Sequence, residues 1–71
     1  MPYLVVIEKG DSSFGAYVPD LPGCIAAAET EDEVRLFIRE AIELYIEGPR
    51  EDGAPVPVPS SSGTLVDVGA A

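Results

Sequence analysis

The residue types that most often carry out catalysis are scarce in this 71-residue sequence. It contains no histidine, which removes the commonest general base and the commonest metal ligand. The single cysteine, Cys24, therefore has no imidazole to activate its thiol and no second cysteine with which to form a disulfide. Serines at 12–13 and 60–62 fall in predicted loops, also without a base. We predict that the chain has no catalytic residue and is not an enzyme.

Carboxylates are abundant instead. The chain carries thirteen Asp and Glu against four Lys and Arg, which gives a net charge of −9. A two-metal site would need several carboxylates to converge on one point. Glu8, Glu29 and Asp67 lie at or near predicted strand ends, whereas most of the others fall on a helix or in loops. No glycine pattern opens a helix in the way that phosphate binding requires. We predict a solvated acidic surface with no metal and no cofactor.

The excess of acidic over basic residues also limits the kinds of partner that the chain can bind. Nucleic-acid binding depends on Lys and Arg contacts to phosphate, and anionic membranes attract basic segments, so both partners are disfavoured. A basic protein is favoured, because opposite fields accelerate encounter. No apolar run approaches the roughly 20 residues of a membrane-spanning helix, and the N-terminus lacks the features of a signal peptide. Together with the unpaired cysteine, these features predict a cytoplasmic protein.

The elements that would position these residues follow the order β-β-β-α-β. β-Branched and aromatic residues predict strands at 3–8 and 14–19, and the short Gly-containing loop between them indicates a hairpin. The first strand does not alternate, so we expect it to be buried on both faces. Pro followed by Gly predicts a type II turn in residues 20–23. Further strands are predicted at 24–29 and 64–68.

The helix carries the clearest signals. Thr30 and Glu33 have the spacing of a capping box, and the acidic first turn lies at the positive end of the helix dipole. Gly48 and Pro49 predict that the helix ends near Glu47. Apolar residues at helical spacing predict the stripe that packs on the sheet. This stripe consists of Val34, Phe37, Ile38, Ala41, Ile42 and Tyr45.

The opposite face of this helix is a candidate contact surface for a partner. Glu40, Glu43 and Glu47 fall together there, although like charges three and four residues apart destabilise a helix slightly. Leu36 lies among them rather than on the apolar stripe. An apolar residue ringed by carboxylates suits a basic partner, but a solubilising face with one exposed leucine explains the same pattern.

The turn between the second and third strands offers another candidate contact, through Asp20 and Leu21. This turn matches a P-x-x-P pattern at residues 19–22, but its place between two strands explains the pattern better than a ligand motif does. The alternating prolines of 54–59 favour an extended connector. Cys24 is most simply explained as a small buried residue.

Taken in order, these segments resemble the HicB family of antitoxins. The resemblance covers residues 3–61 and includes the helix with its Glu40-Ala41-Ile42 sequence. It also includes residues 52–57 with the serines that follow them. Its most specific part is the string Tyr-Val-Pro-Asp-Leu-Pro-Gly-Cys at 17–24.

The resemblance implies one α+β domain over residues 1–71, with a degraded RNase H-like β-β-β-α-β fold and one helix packed on a mostly antiparallel sheet. It implies a non-enzymatic antitoxin that neutralises a small basic HicA-like toxin, which cleaves RNA. Family members usually add a C-terminal DNA-binding segment. Only nine residues, none basic, follow Ser62 here, so we expect no such segment and no direct nucleic-acid binding.

Oligomerisation is expected as well, because a domain of this size buries only about 60% of its unfolded surface. We predict a homodimer or homotetramer, formed through a sheet edge or the Leu36 face. Two other functions stay open. One is an orphan oligomeric domain that binds a small molecule or acts as a scaffold and has no toxin partner. The other is a metal-dependent nuclease.

Overall fold

The computed structural model describes residues 1–69 and shows a three-stranded antiparallel sheet followed by one helix. The strands are β1 (Val6–Lys9), β2 (Phe14–Tyr17) and β3 (Ile25–Ala28), and they lie side by side in that order, so β2 is central. The helix α1 (Glu31–Glu51) packs across β2 and β3 on one face of the sheet. A small α+β domain, with its first four elements in the predicted order, is confirmed.

Short turns set the register of the sheet. The β1–β2 loop is closed by the Gly10 N–H, which donates to the Ser13 carbonyl at 2.8 Å. In the β2–β3 connection the Cys24 N–H donates to the Leu21 carbonyl at 3.0 Å. Gly23 at the centre of this turn has a φ of +83°, which is the left-handed conformation that glycine supplies in a type II turn. The predicted Pro-Gly turn is present, but the hydrogen bond places it at residues 21–24, one residue later than predicted.

The core lies between α1 and the helix-covered face of the sheet. Its residues come from β2, the β2–β3 turn and α1, because every second strand residue and every third or fourth helix residue points inward. Cys24 is a buried core residue, as predicted. Its burial raises the pKa of the thiol, since a thiolate would be poorly solvated there. The buried apolar residues are Ala16, Val18, Leu21, Cys24, Val34 and Ile38.

The N-terminal cap of α1 differs in one detail from a capping box. The Thr30 Oγ1 accepts a hydrogen bond from the Glu33 backbone N–H at 3.1 Å, as predicted. The Glu33 carboxylate, however, accepts from the Thr30 hydroxyl at 2.9 Å rather than from the Thr30 backbone N–H. The Thr30 side chain therefore provides an acceptor for one free N–H of the first turn, and the Glu33 carboxylate holds that side chain in place.

The predicted end of the helix was wrong. The helix continues through Gly48 and Pro49 to Glu51. Pro49 has no N–H to donate to the Tyr45 carbonyl, so the helix loses one bond there, but the next turn is kept, since the Asp52 N–H donates to the Gly48 carbonyl at 3.0 Å. Gly53, with a φ of +72°, supplies the left-handed residue that ends the helix.

The strand predictions also need correction. β1 begins at Val6 rather than residue 3, and its apolar residues are only half-buried, because the helix covers one face of the sheet. The last strand predicted at 64–68 is wrong, since no strand follows α1 in the described part of the chain. Prolines at alternate positions of 55–59 cannot donate to a strand ladder. The serines that follow them, Ser60 and Ser61, donate to Asp20 in the β2–β3 turn instead. The second and third strands are shorter than predicted at their ends.

One residue of the predicted apolar stripe lies largely outside the core. Phe37 remains 41% exposed, because it sits at the edge of the stripe and the narrow sheet does not reach it. The remaining stripe residues are buried or half-buried.

Within residues 1–69, no helix is long and apolar enough to cross a membrane.

Candidate partner-binding surfaces

The acidic helix face consists of Leu36, Glu40, Glu43 and Glu47, and the structure brings these residues together on the solvent side of α1. All four are exposed, and Leu36 retains 54% of its accessible surface. Their spacing of three and four residues makes them neighbours along the helix. The arrangement combines an apolar side chain with three carboxylates, as the sequence predicted.

A second exposed leucine extends this face and was missed by the sequence analysis. Leu44 is 71% exposed, and it lies four residues after Glu40 and three before Glu47. That spacing alone could have identified it. Together with the exposed part of Phe37, it gives the acidic helix face a larger apolar margin than one stray leucine would.

The cations on α1 only partly offset this acidic charge. Arg39 Nε lies 3.4 Å from Glu43 Oε1, and both side chains are largely exposed, so the pair contributes only a few tenths of a kcal/mol. Within residues 1–69, Glu40 and Glu47 take part in no ion pair. The face therefore keeps a negative field toward solvent.

Asp20, one of the two predicted partner contacts in the β2–β3 turn, fastens the segment that follows the helix. Its carboxylate accepts from the backbone N–H groups of Ser60 and Ser61 at 2.7 and 2.9 Å. It also accepts from their hydroxyls at 3.1 and 2.6 Å, respectively. The Ser61 hydroxyl, followed by the two backbone N–H groups, holds the pKa of Asp20 well below its usual range.

Leu21 is not available to a partner. Its side chain is fully buried at the end of the core, because the type II turn folds the chain inward at this point. Its predicted role as a contact residue is therefore wrong for the folded domain. The β2–β3 turn presents Pro22 and Gly23 to solvent instead.

A groove of about 600 Å³ runs between the N-terminal segment and α1. Its walls are mainly apolar, with Tyr3, Val5 and Ile7 on one side and helix isoleucines on the other. Its lining includes three of the four basic residues in the chain, namely Arg35, Arg39 and Arg50. Glu43 also lines the groove and pairs with Arg39, while Arg35 pairs with Glu31, so Arg50 is the lining cation that has no ion pair within residues 1–69.

No metal centre is found in the part of the chain that the structure describes. There, no group of three or more His, Cys, Asp or Glu residues comes together in a way that could hold a metal ion. Asp20 has a strongly shifted pKa, which can mark a functional site, but its four hydrogen bonds to Ser60 and Ser61 account for the shift.

Comparison with known proteins identifies relatives along most of the chain. Residues 3–68 match the family model described as the HicB-like antitoxin of bacterial toxin–antitoxin systems. A UPF0150 protein of Archaeoglobus fulgidus is 45% identical over 56 residues, which cover 75% of this chain and 81% of that protein. A UPF0150 protein of Thermoplasma acidophilum is 38% identical over 58 residues, covering 80% and 84%.

A third relative is considerably longer than this chain. An uncharacterized 14.9 kDa protein from the rep-hol intergenic region of Haemophilus phage HP1 is 42% identical over 57 residues. The match covers 80% of this chain but only 43% of the phage protein. No solved structure matches the chain at a significant level.

Proposed function

The chain belongs to the HicB-like antitoxin family of bacterial toxin–antitoxin systems, and from this we propose that it binds and neutralises a small basic, RNA-cleaving toxin of the HicA type. The match over residues 3–68 is the observation that carries the proposal. The antitoxin acts without breaking bonds itself. It covers the positively charged surface through which the toxin holds RNA.

Electrostatics supports the acidic helix face as the contact surface. A toxin that cleaves RNA must attract phosphate and therefore carries positive potential. Seven of the thirteen acidic residues lie on α1, which gives this helix the largest concentration of negative charge in the chain. Leu36 and Leu44 add exposed apolar surface that can be desolvated in a complex.

The proposal includes a distant relationship to RNase H in topology. The observed β-β-β-α order agrees with the first four elements of that arrangement. Shared topology does not carry activity, which depends on a site. Within residues 1–69 no group of carboxylates is arranged to hold a metal ion, so the structure gives no support to the nuclease hypothesis.

The decisive experiment is co-expression of the chain with the reading frame adjacent to its gene, followed by co-purification and an RNA-cleavage assay. A complex that suppresses cleavage by the small basic product supports the proposal. An adjacent product that cleaves RNA equally well with and without this chain contradicts it.

Charge neutralisation tests which surface the toxin meets. The triple variant Glu40→Gln, Glu43→Gln, Glu47→Gln removes three negative charges from the acidic helix face. We expect association at low salt to slow by about tenfold and its salt dependence to weaken, because steering depends on the local field. Stopped-flow kinetics at several salt concentrations measures both effects.

A matched control changes the same number of charges elsewhere. The triple variant Glu8→Gln, Asp11→Asn, Glu29→Gln removes the same amount of negative charge but leaves the acidic helix face intact. Its association rate should change much less. Equal rates for the two triple variants would reject the acidic helix face as the contact surface, while leaving the antitoxin function itself open to the co-purification test.

The orphan alternative has one observation in its favour, the apolar groove beside α1. Two of its three arginines already pair with carboxylates, Arg35 with Glu31 and Arg39 with Glu43, which weakens the groove as an anion site. If no adjacent frame encodes a basic partner, a thermal-shift screen with small carboxylic acids would test this alternative directly.

A further inference from the structure

The face of the sheet opposite α1 is apolar although, in residues 1–69, no helix or strand covers it. The register aligns Val6, Tyr17 and Ile25 in one row across all three strands. Ile25 is 70% exposed and Tyr17 is 40% exposed, while Val6 is half-buried. An antiparallel sheet with one solvated face normally carries polar residues there. We call this row, together with Leu4 at its margin, the open face.

The segment after the prolines also carries apolar side chains that are exposed to solvent. Leu65 is fully exposed, and Val66 and Val68 are each 74% exposed. The five residues 64–68, which we call the tail, have the β-branched and apolar composition of a strand, yet they pair with nothing in the described chain. One molecule thus presents two exposed apolar elements.

The start of the tail lies at the open face. Side chains at positions 3, 5 and 7 line the groove toward α1, so Leu4 points to the opposite side of the sheet. Gly63 lies against Leu4, since a methyl group added at Gly63 would come 3.4 Å from Leu4 Cδ1. The Asp20 bonds to Ser60 and Ser61 hold the preceding residues in place. Beyond this fixed start, the tail is exposed and forms no strand with its own sheet.

The distribution of charge indicates which partner the open face fits. Glu8, on the same face as Val6, is the only acidic residue in the three strands, and Asp67 is the only one in the tail, whereas α1 carries seven. A basic protein is drawn to the helix, and the open face offers it little attraction. A second copy of this chain also carries −9, so it can approach closely only where acidic groups are sparse.

The dimensions show why both elements are needed. Three strands of four residues make a face only about 10 by 13 Å, which is too small by itself for a specific interface, since such interfaces bury about 800 Å² on each partner. An extended tail of five residues is about 17 Å long and can cross the full width of the face. The contact is self-complementary, because every copy supplies one face and one tail.

We propose that the open face is the contact surface between two copies of this chain, with the tail of each copy lying across the open face of the other. The contact is independent of toxin binding, and it leaves the acidic helix face of both copies exposed. It differs from the sheet-edge and Leu36 contacts that the sequence suggested, because it uses the flat surface of the sheet.

Sedimentation equilibrium of the purified full chain tests the proposal. The unmodified chain should be dimeric at tens of micromolar. Ile25→Asp and the double variant Leu65→Ser, Val66→Ser should each weaken the dimer by at least about tenfold, since each removes a central apolar contact. Leu36→Asp, which adds the same charge at another exposed site, should leave the dimer unchanged. A monomeric unmodified chain, or dimers insensitive to both open-face and tail changes, would overturn the proposal.

Cross-linking separates exchange between copies from folding back within one copy, and it does not depend on the stability of Ile25→Asp. In a Cys24→Ala background, Ile25→Cys and Leu65→Cys are introduced together and oxidised mildly. Exchange between copies gives disulfide-linked dimers on a non-reducing gel. Oxidised chains of monomer mass would show that the tail covers its own face, and unreacted thiols would show no contact. Either of these last two results rejects the proposal.

Discussion

The two faces of the sheet carry similar apolar side chains but have opposite surroundings. On the covered face Ala16 is buried beneath α1, whereas the adjacent residue Tyr17 points the other way and is 40% exposed. Both faces of β3 are apolar as well, although only one packs on the helix. Apolar patterning therefore marks surfaces that need covering, and it does not reveal whether the cover comes from the same chain or another.

The strongest test of this comparison uses two leucines that the sequence grouped together as contact residues. Leu21→Ala should destabilise the domain by about 2–5 kcal/mol, because it leaves a cavity at a fully buried site. Leu36→Ala should change the free energy of unfolding by no more than about 0.5 kcal/mol. Urea denaturation at one fixed chain concentration measures both changes. Similar losses in the two variants would mean that the helix-covered core is not where stability is concentrated.

A smaller effect is expected from the two threonines of the chain, one at the start of the covering helix and one in the tail. Thr30→Ala removes the side-chain acceptor for the Glu33 N–H and should cost about 1 kcal/mol. Thr64→Ala is the matched control, and its effect should lie within about 0.5 kcal/mol, since this residue is exposed. Thermal denaturation followed by circular dichroism compares them. A larger loss for Thr64→Ala would indicate that the tail contributes more to stability than the helix cap.

Local signals were sufficient to predict the covered half of the molecule. The Pro22-Gly23 turn and the Thr30 cap each follow from the conformational preferences of one or two residues, and the structure confirms both. The end of the helix was less predictable. Gly48 and Gly53 are both plausible stop signals, and only the hydrogen bonds beyond Pro49 determine which one is used.

The tail and the candidate site could be predicted only in part, because both depend on contacts between distant residues. Residues 64–68 have strand composition, but pairing requires a partner strand that composition does not specify. Asp20 and Leu21 are adjacent in sequence, yet one faces Ser60 and Ser61 while the other enters the core. By contrast, the acidic helix face was predictable, because helical periodicity alone brings its residues together.

The smallest effect concerns the hydrogen bonds from Ser60 and Ser61, the residues just before the tail, to Asp20, and it depends on pH. The ionised Asp20 carboxylate accepts all four hydrogen bonds from Ser60 and Ser61, so the pKa of Asp20 is lower in the folded chain than in the unfolded chain, where it is about 3.9. The stabilisation is therefore fully present above about pH 4 and is lost as the pH falls from there toward the folded-state pKa.

Asp20→Asn retains one acceptor oxygen but removes the charge, so it should lower stability at pH 7 and do so progressively less as the pH falls below about 4. Urea denaturation of both proteins at pH 7, 4 and 3 measures this narrowing difference. At pH 7 the variant should also show faster hydrogen exchange at the Ser60 and Ser61 amides, because those two N–H groups lose a charged acceptor. Asp11→Asn, in the exposed β1–β2 loop, controls for the loss of one negative charge. A difference between wild type and Asp20→Asn that stayed constant from pH 7 to 3 would show that the carboxylate charge does not hold Ser60 and Ser61, and the exchange between copies would then lack the fixed start that it requires.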